Sequence, residues 1–127
     1  MNYQVFNGLP FVHVYLTYKG KQIRVENVLI DTGSYGTIFN SDILLEIGIK
    51  PEIDDVIDTI SGVGGIEFVI KKKIDQIKLD STIINDFEIE VGAMNYGFNI
   101  FGILGYNFIQ KAELVIDSKN QKIYKHQ

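Results

Sequence analysis

Val28-Leu29-Ile30-Asp31-Thr32-Gly33-Ser34 decides how the rest of this chain is read: a branched apolar run ends in a carboxylate, a small hydroxyl residue and a glycine. The run is a strand by composition. An acid at the end of such a strand is drawn out of water unless it is hydrogen-bonded, paired or protonated. Thr32 supplies a donor and an acceptor beside it, and Gly33 permits backbone angles and close approaches denied to other residues. Two readings follow. Asp31 and Gly33 close an ordinary turn, since both residue types favour turns, or the acid is held there to do chemistry. The tripeptide alone does not choose between them.

Outward from it toward the N-terminus, residues 11–18 alternate, with Val12, Val14, Leu16 and Tyr18 on one face. Lys19-Gly20-Lys21 turns the chain and residues 22–30 return, so a hairpin delivers Asp31. His13 lies on the other face without a spaced partner, which makes it a strand histidine rather than a metal ligand. Downstream, Thr37-Ile38-Phe39 stays extended. Asn40 and Ser41 cap a short helix through Ile47, Gly48 stops it, and Pro51 prevents its resumption. Asp54, Asp55 and Asp58 form a solvated face without the spacing of a calcium loop.

Ser61-Gly62-Val63-Gly64-Gly65 then joins two extended arms as the tip of a long hairpin. No Gly-Lys-Ser/Thr opens a helix there, which excludes a phosphate cradle. Lys71-Lys72-Lys73 reads as a solvated strand edge that discourages stray pairing. Over residues 83–91, Phe87, Ile89 and Val91 alternate with Asp86, Glu88 and Glu90 as in a half-buried strand. A loop carrying Asn95, Gly97 and Asn99 leads into Ile100-Phe101-Gly102-Ile103-Leu104-Gly105, a short helix over residues 106–111, and a terminal hairpin. The expectation is a single all-β domain over residues 1–127, closed or folded over, with one or two short helices.

Composition narrows the function classes. With 127 residues the chain is one domain long and can bury a substantial core. Its 46% hydrophobic and 22% charged residues are a globular balance. A formal charge of -4 argues against a nucleic-acid partner held through phosphates. The absence of cysteine excludes disulfides, thiolate metal sites and cysteine nucleophiles. No stretch has the length of a membrane span and the N-terminus lacks a signal-peptide layout, so a soluble, cytoplasmic protein without membrane contact is expected.

Three features stand in order: Asp31-Thr32-Gly33-Ser34 after an apolar strand, the glycine-rich tip Gly62-Val63-Gly64-Gly65, and Ile103-Leu104-Gly105-Tyr106-Asn107-Phe108-Ile109. This order resembles the retroviral-type aspartic proteases (retropepsins) and their cellular and bacterial relatives, over nearly the whole chain. That family carries Asp-Thr/Ser-Gly, a glycine-rich flap, then two apolar residues, Gly, any residue, Asn or Asp, and two more apolar residues. The resemblance implies a closed acid-protease barrel, one lobe per chain, and an aspartic endopeptidase that needs no cofactor or metal. Its chemistry requires two Asp-Thr-Gly turns and this chain has one, so it implies a homodimer with Asp31 of each copy at a two-fold axis.

It further implies roles residue by residue. Asp31 is the catalytic acid, Thr32 hydrogen-bonds across the axis and Gly33 permits close approach. Gly62, Val63, Gly64, Gly65 and Ile66 belong to a flap that closes over an extended polypeptide substrate. Ile103, with Leu104, lines subsites or packs beneath the turn. Ser34 is placed among the substrate-binding residues, with its hydroxyl expected to donate to the outer oxygen of Asp31. Little charge in these walls implies a preference for apolar or aromatic side chains around the scissile bond. The chain departs from the retroviral pattern in continuing through residues 113–127, where the family interleaves its termini into a dimer sheet. Two other readings remain open at this level: a domain of the same fold that dimerises or binds extended peptides without cutting them, and a small β-barrel ligand binder in which Asp31 only closes a turn.

Overall fold

The computed structural model describes residues 1–62, 65–96 and 99–127. Among these residues, ten strands and two short helices follow one another as β1 (Gln4–Phe6), β2 (Leu9–Tyr18), β3 (Lys21–Ile30), β4 (Ile38–Asn40), α1 (Ser41–Leu44), β5 (Ile57–Gly62), β6 (Gly65–Leu79), β7 (Thr82–Gly92), β8 (Gly102–Leu104), α2 (Tyr106–Lys111), β9 (Leu114–Asp117) and β10 (Lys122–Lys125). The main sheet has the order β1-β2-β3-β8-β4-β7-β6-β5, and a further pairing of β2 with β6 closes the run from β2 to β6 into a ring. An all-β acid-protease-like fold with two short helices results, as the sequence implies.

Local chemistry explains the elements. Lys19 and Gly20 both have positive φ, the backbone twist that a two-residue hairpin turn between β2 and β3 demands. Asn7 and Gly8 do the same between β1 and β2. That strand is one the sequence reading missed, although Asn-Gly is a strong hairpin signal. Asn40 caps α1, its side-chain oxygen accepting from the Asp42 and Ile43 amides at 2.9 and 3.2 Å. The helix tightens into a 3-10 turn at Leu45–Ile47 and ends at Gly48, whose φ of 81° is left-handed.

Period-two burial divides the interior in two. A main cluster includes Val14, Leu16, Val28, Ile30, Phe39, Leu44, Ile89, Leu104 and Phe108, all buried inside the ring. A smaller one gathers Phe11, Ile38, Val69, Met94 and Ile100, with Leu29, Ile60, Tyr96 and Ile103 packed against it. Phe87, Ile89 and Val91 face inward as their alternation requires.

Lys72 departs from the sequence reading. It lies on β6 opposite Ile89 of β7, just past Ile70 where the pairing with β5 ends, and what departs from a solvated run is its burial. Its side chain is only 6% exposed, with its ammonium 2.7 Å from Glu52 and 2.8 Å from Asp55. A buried ammonium requires such partners. Asp55 is therefore not part of a solvated face.

The C-terminal hairpin β9–β10 forms a separate two-stranded sheet. Its β10 edge is occupied by the chain's own start: the Ile123 amide donates to the Met1 carbonyl and the Tyr3 amide to the Gln121 carbonyl, both at 3.0 Å. Among the described residues no helix is long and apolar enough to cross a membrane.

Candidate active site

The chain leaves β3 at Ile30, pairs one residue further through the Asp31 amide to the Leu104 carbonyl (3.0 Å), and then turns. Strand β8 lies parallel to β3 and antiparallel to β4, so it is inserted between the strand that enters the Asp31 turn and the strand that leaves it. This crossing explains why Ile103-Leu104-Gly105 must be apolar and narrow: it forms the floor on which the turn rests. Ile30 and Leu104 pair and face the main cluster, while their neighbours Leu29 and Ile103 face the smaller one. Extended alternation puts Asp31 on the Leu29 and Ile103 side.

Within the turn, the Gly33 amide donates to Asp31 Oδ1 at 2.9 Å and the Ser34 amide donates to the Asp31 carbonyl at 3.2 Å. Asp31 is half-buried, whereas Thr32 and Gly33 are exposed on the protomer surface. Ser34 requires a correction. Its hydroxyl donates to the Gly36 carbonyl at 2.9 Å, so the single hydroxyl proton is used inside the turn and not on Asp31.

Beneath the turn lies a buried network that sequence reading missed. Thr37, wholly buried, donates through Oγ1 to Asn107 Oδ1 at 2.8 Å and accepts the Gly105 amide at 3.1 Å. Asn107 Oδ1 also accepts the Phe108 amide at 2.8 Å, which organises the first turn of α2. Two more bonds bind that helix start to the turn: the Tyr106 amide donates to the Ser34 carbonyl at 2.6 Å and the Asn107 amide to the Tyr35 carbonyl at 3.2 Å. Gly105 is obligatory here. A Cβ on it would lie 2.6 Å from the Gly36 carbonyl carbon and 2.9 Å from the Ser34 carbonyl oxygen. The signal for Thr37 was its hydroxyl at the start of an apolar strand, which spacing cannot connect to Asn107 across 70 residues.

Glu90 is the second surprise. Alternation assigns it to solvent, yet its carboxylate lies against Gly36, where a Cβ would come within 2.9 Å of the carboxylate carbon. Burial pushes its pKa up, opposed by Lys71.

The β5–β6 hairpin pairs from Ile57 with Ile70 to Gly62 with Gly65. Of its expected substrate contacts, Val63 and Gly64 lie outside the described residues. Gly65 has a φ of 105°, reserved for glycine. Ile66 is 75% exposed and shares the hairpin's outer face with Phe68, while Ile60 and Val69 pack into the cluster that includes Ile103. Glu67, between them, points inward: its carboxylate accepts the Met94 amide and the Tyr96 hydroxyl, both at 2.9 Å. Burial, then the Glu67 carboxylate, push the Tyr96 pKa up to about 12. The hairpin is thereby tied to the loop after β7, and a carboxylate stands where walls of little charge were expected. A recess of about 400 Å³ lies elsewhere, between α1 and the hairpin's outer face, lined by Leu45, Ile49, Phe68 and Val91 but by none of residues 31–34.

Comparisons with known proteins agree with this architecture. The chain superimposes on the EIAV protease solved with the inhibitor HBY-793, with a TM-score of 0.60 and 19% identity over 85% of this chain and 93% of that one. It superimposes on a retropepsin-like aspartic protease from Rickettsia conorii with a TM-score of 0.69 and 13% identity, over 98% and 97% of the two chains. Identities this low carry the fold and not the activity. No curated protein matches the sequence. The sequence profile of the family described as aspartyl protease matches residues 14–108, three quarters of the chain, and includes every feature from the β2–β3 hairpin to the start of α2. The chain therefore belongs to the aspartyl protease family, with the retropepsin-like fold.

Proposed function

We propose that this protein is an aspartic endopeptidase, active as a homodimer, that hydrolyses peptide bonds in extended polypeptide segments. The observation that carries the reading is the Asp31 turn. It is braced from below by Thr37, Gly105 and Asn107, yet Thr32 and Gly33 are left uncovered on the protomer surface. A turn fixed so firmly and exposed so openly is suited to meet its own copy across a two-fold axis.

In that dimer the two Asp31 carboxylates share one proton, because like charges at close range do not both ionise, an arrangement of which aspartic proteases are the standing example. The ionised member takes a proton from a water that attacks the peptide carbonyl. The protonated member donates to the carbonyl oxygen as negative charge develops there. The Gly33 amide on Asp31 Oδ1 helps fix the plane of the carboxylate. Thr32 spans the axis, the β5–β6 hairpin serves as the flap from Gly62 through Ile66, and Ile103 and the neighbouring apolar cluster form subsite walls.

Purified protein is expected to cut an unstructured protein at mildly acidic pH, and Asp31→Asn to abolish cutting without loss of fold. Cleavage that survives Asp31→Asn refutes the assignment. Sedimentation of the purified protein addresses assembly, and a strict monomer at high concentration refutes the shared site.

A further inference from the structure

We propose that Lys72, clasped between Glu52 and Asp55, is the positioning residue for the root of the β5–β6 hairpin. The inference rests on the reading of that hairpin as a substrate-covering flap. Strand β6 has two parts. Residues up to Ile70 pair with β5, and from Ile70 onward the strand pairs with β7 and joins the ring. Lys72 is placed just past this junction. Its ammonium reaches Glu52 Oε1 at 2.7 Å and Asp55 Oδ1 at 2.8 Å. Those two residues belong to the connection that enters β5, and they lock it internally: the Glu52 amide donates to Asp55 Oδ2 at 2.6 Å and the Asp55 amide to the Glu52 carbonyl at 3.1 Å. One residue earlier on β6, the Lys71 amide donates to the Val56 carbonyl at 3.1 Å.

The clasp therefore joins the segment leading into one arm of the hairpin to the continuation of the other arm. It fixes both arms where they leave the barrel, while the apolar side chains around it, Ile53, Val56 and Ile57, are 62% exposed or more and bring little packing. A cation with several donors is needed, and one ammonium with three protons can serve two carboxylates on a single connection. A hydrophobic side chain of equal length would fill the space without orienting the connection. Loss of the clasp frees the hairpin to sample more positions, so the fraction of protein competent to close over substrate falls.

The test compares Lys72→Met, Asp55→Asn and Lys72→Arg with the unaltered protein. Hydrogen exchange without substrate is expected to accelerate tenfold or more at amides of β5 and the first six residues of β6 in Lys72→Met and Asp55→Asn. Amides of β2 and β3 stay unchanged, and Lys72→Arg retains protection. Equal hairpin exchange in all four proteins overturns the inference. So does uniform acceleration through the barrel, the signature of a merely structural role. In cleavage assays Lys72→Met is expected to raise KM severalfold with kcat nearly held, and a fall in kcat alone overturns the role. Absence of cleavage by the unaltered protein overturns the protease reading and leaves the exchange result to judge the clasp.

Discussion

Thr37→Val tests whether the buried network, rather than the turn's own bonds, holds Asp31 in place. The substitution keeps the branched shape and replaces one hydroxyl by a methyl. Two bonds disappear: Thr37 Oγ1 to Asn107 Oδ1 and the Gly105 amide to Thr37 Oγ1. Asn107 Oδ1 keeps the Phe108 amide, so its loss is about 1 kcal/mol. The Gly105 amide is buried and left without an acceptor, a cost of about 1–3 kcal/mol. The added methyl returns about 0.8 kcal/mol of burial. The balance is about 1–3 kcal/mol of destabilisation, or a fall in Tm of roughly 4–12 °C for a domain of this size. Thermal unfolding followed by circular dichroism measures it. Thr37→Ser keeps both bonds and should lose only the methyl, about 1 kcal/mol. Cleavage by Thr37→Val should fall at least tenfold at temperatures where the protein is folded, since a displacement near 1 Å at a reacting group costs about a hundredfold. A valine variant as stable and active as the unaltered protein, or a serine variant impaired as much as valine, would refute the bracing role.

Gly105→Ala drives a Cβ into the Gly36 and Ser34 carbonyls and should destabilise by about 3 kcal/mol, read as a Tm drop near 10 °C or more; an unchanged Tm contradicts the close approach. The clasp carries a pH signature. Its hydrogen bonds to Lys72 hold the Glu52 and Asp55 pKa values below their ordinary 4.5 and 3.8, so their contribution is complete above those values and is lost as pH falls through the lower folded ones. At Lys72 burial lowers the pKa, but the two carboxylates outweigh it and raise the pKa above 10.5, so that contribution is complete below 10.5 and is lost as pH rises through the folded value. The excess protection of the β5–β6 hairpin amides over Lys72→Met should therefore be flat between about pH 5 and 10 and shrink on both sides, and a constant difference at acid pH contradicts it. Tyr96 is expected to ionise near pH 12 in an ultraviolet titration, a step that Tyr96→Phe removes. Because its pKa is raised from 10.0, the stability it contributes is lost as pH climbs from 10 toward 12.

Strand identity was legible wherever one face is buried and the other wet. Residues 11–18 and 83–91 showed period two, and Val14, Leu16, Phe87 and Ile89 are buried accordingly. Cap chemistry placed α1, because Asn40 and Gly48 act through bonds to residues three or fewer positions away. Motif order carried the fold, since each of its three elements is a local solution to a backbone problem. Lys72 and Glu90 were misread for one reason: alternation gives the two faces of a strand and not what covers them. The connection carrying Glu52 and Asp55 covers one, and the Asp31 turn covers the other.

The sequence by itself determined that an acid ends an apolar strand, that a glycine follows where a tight turn needs it, and that this Asp-Thr-Gly turn occurs once in the chain. Only the tertiary structure decided what secures that acid. Strand β8 threads between β3 and β4 and brings Thr37 within 2.8 Å of Asn107, a contact across 70 positions that no local pattern encodes. It also turned the Ser34 hydroxyl toward Gly36 and buried a lysine between two acids. Propensity and periodicity act over a few residues, whereas hydrogen bonds in the interior are assigned by whichever segments the closed ring presses together.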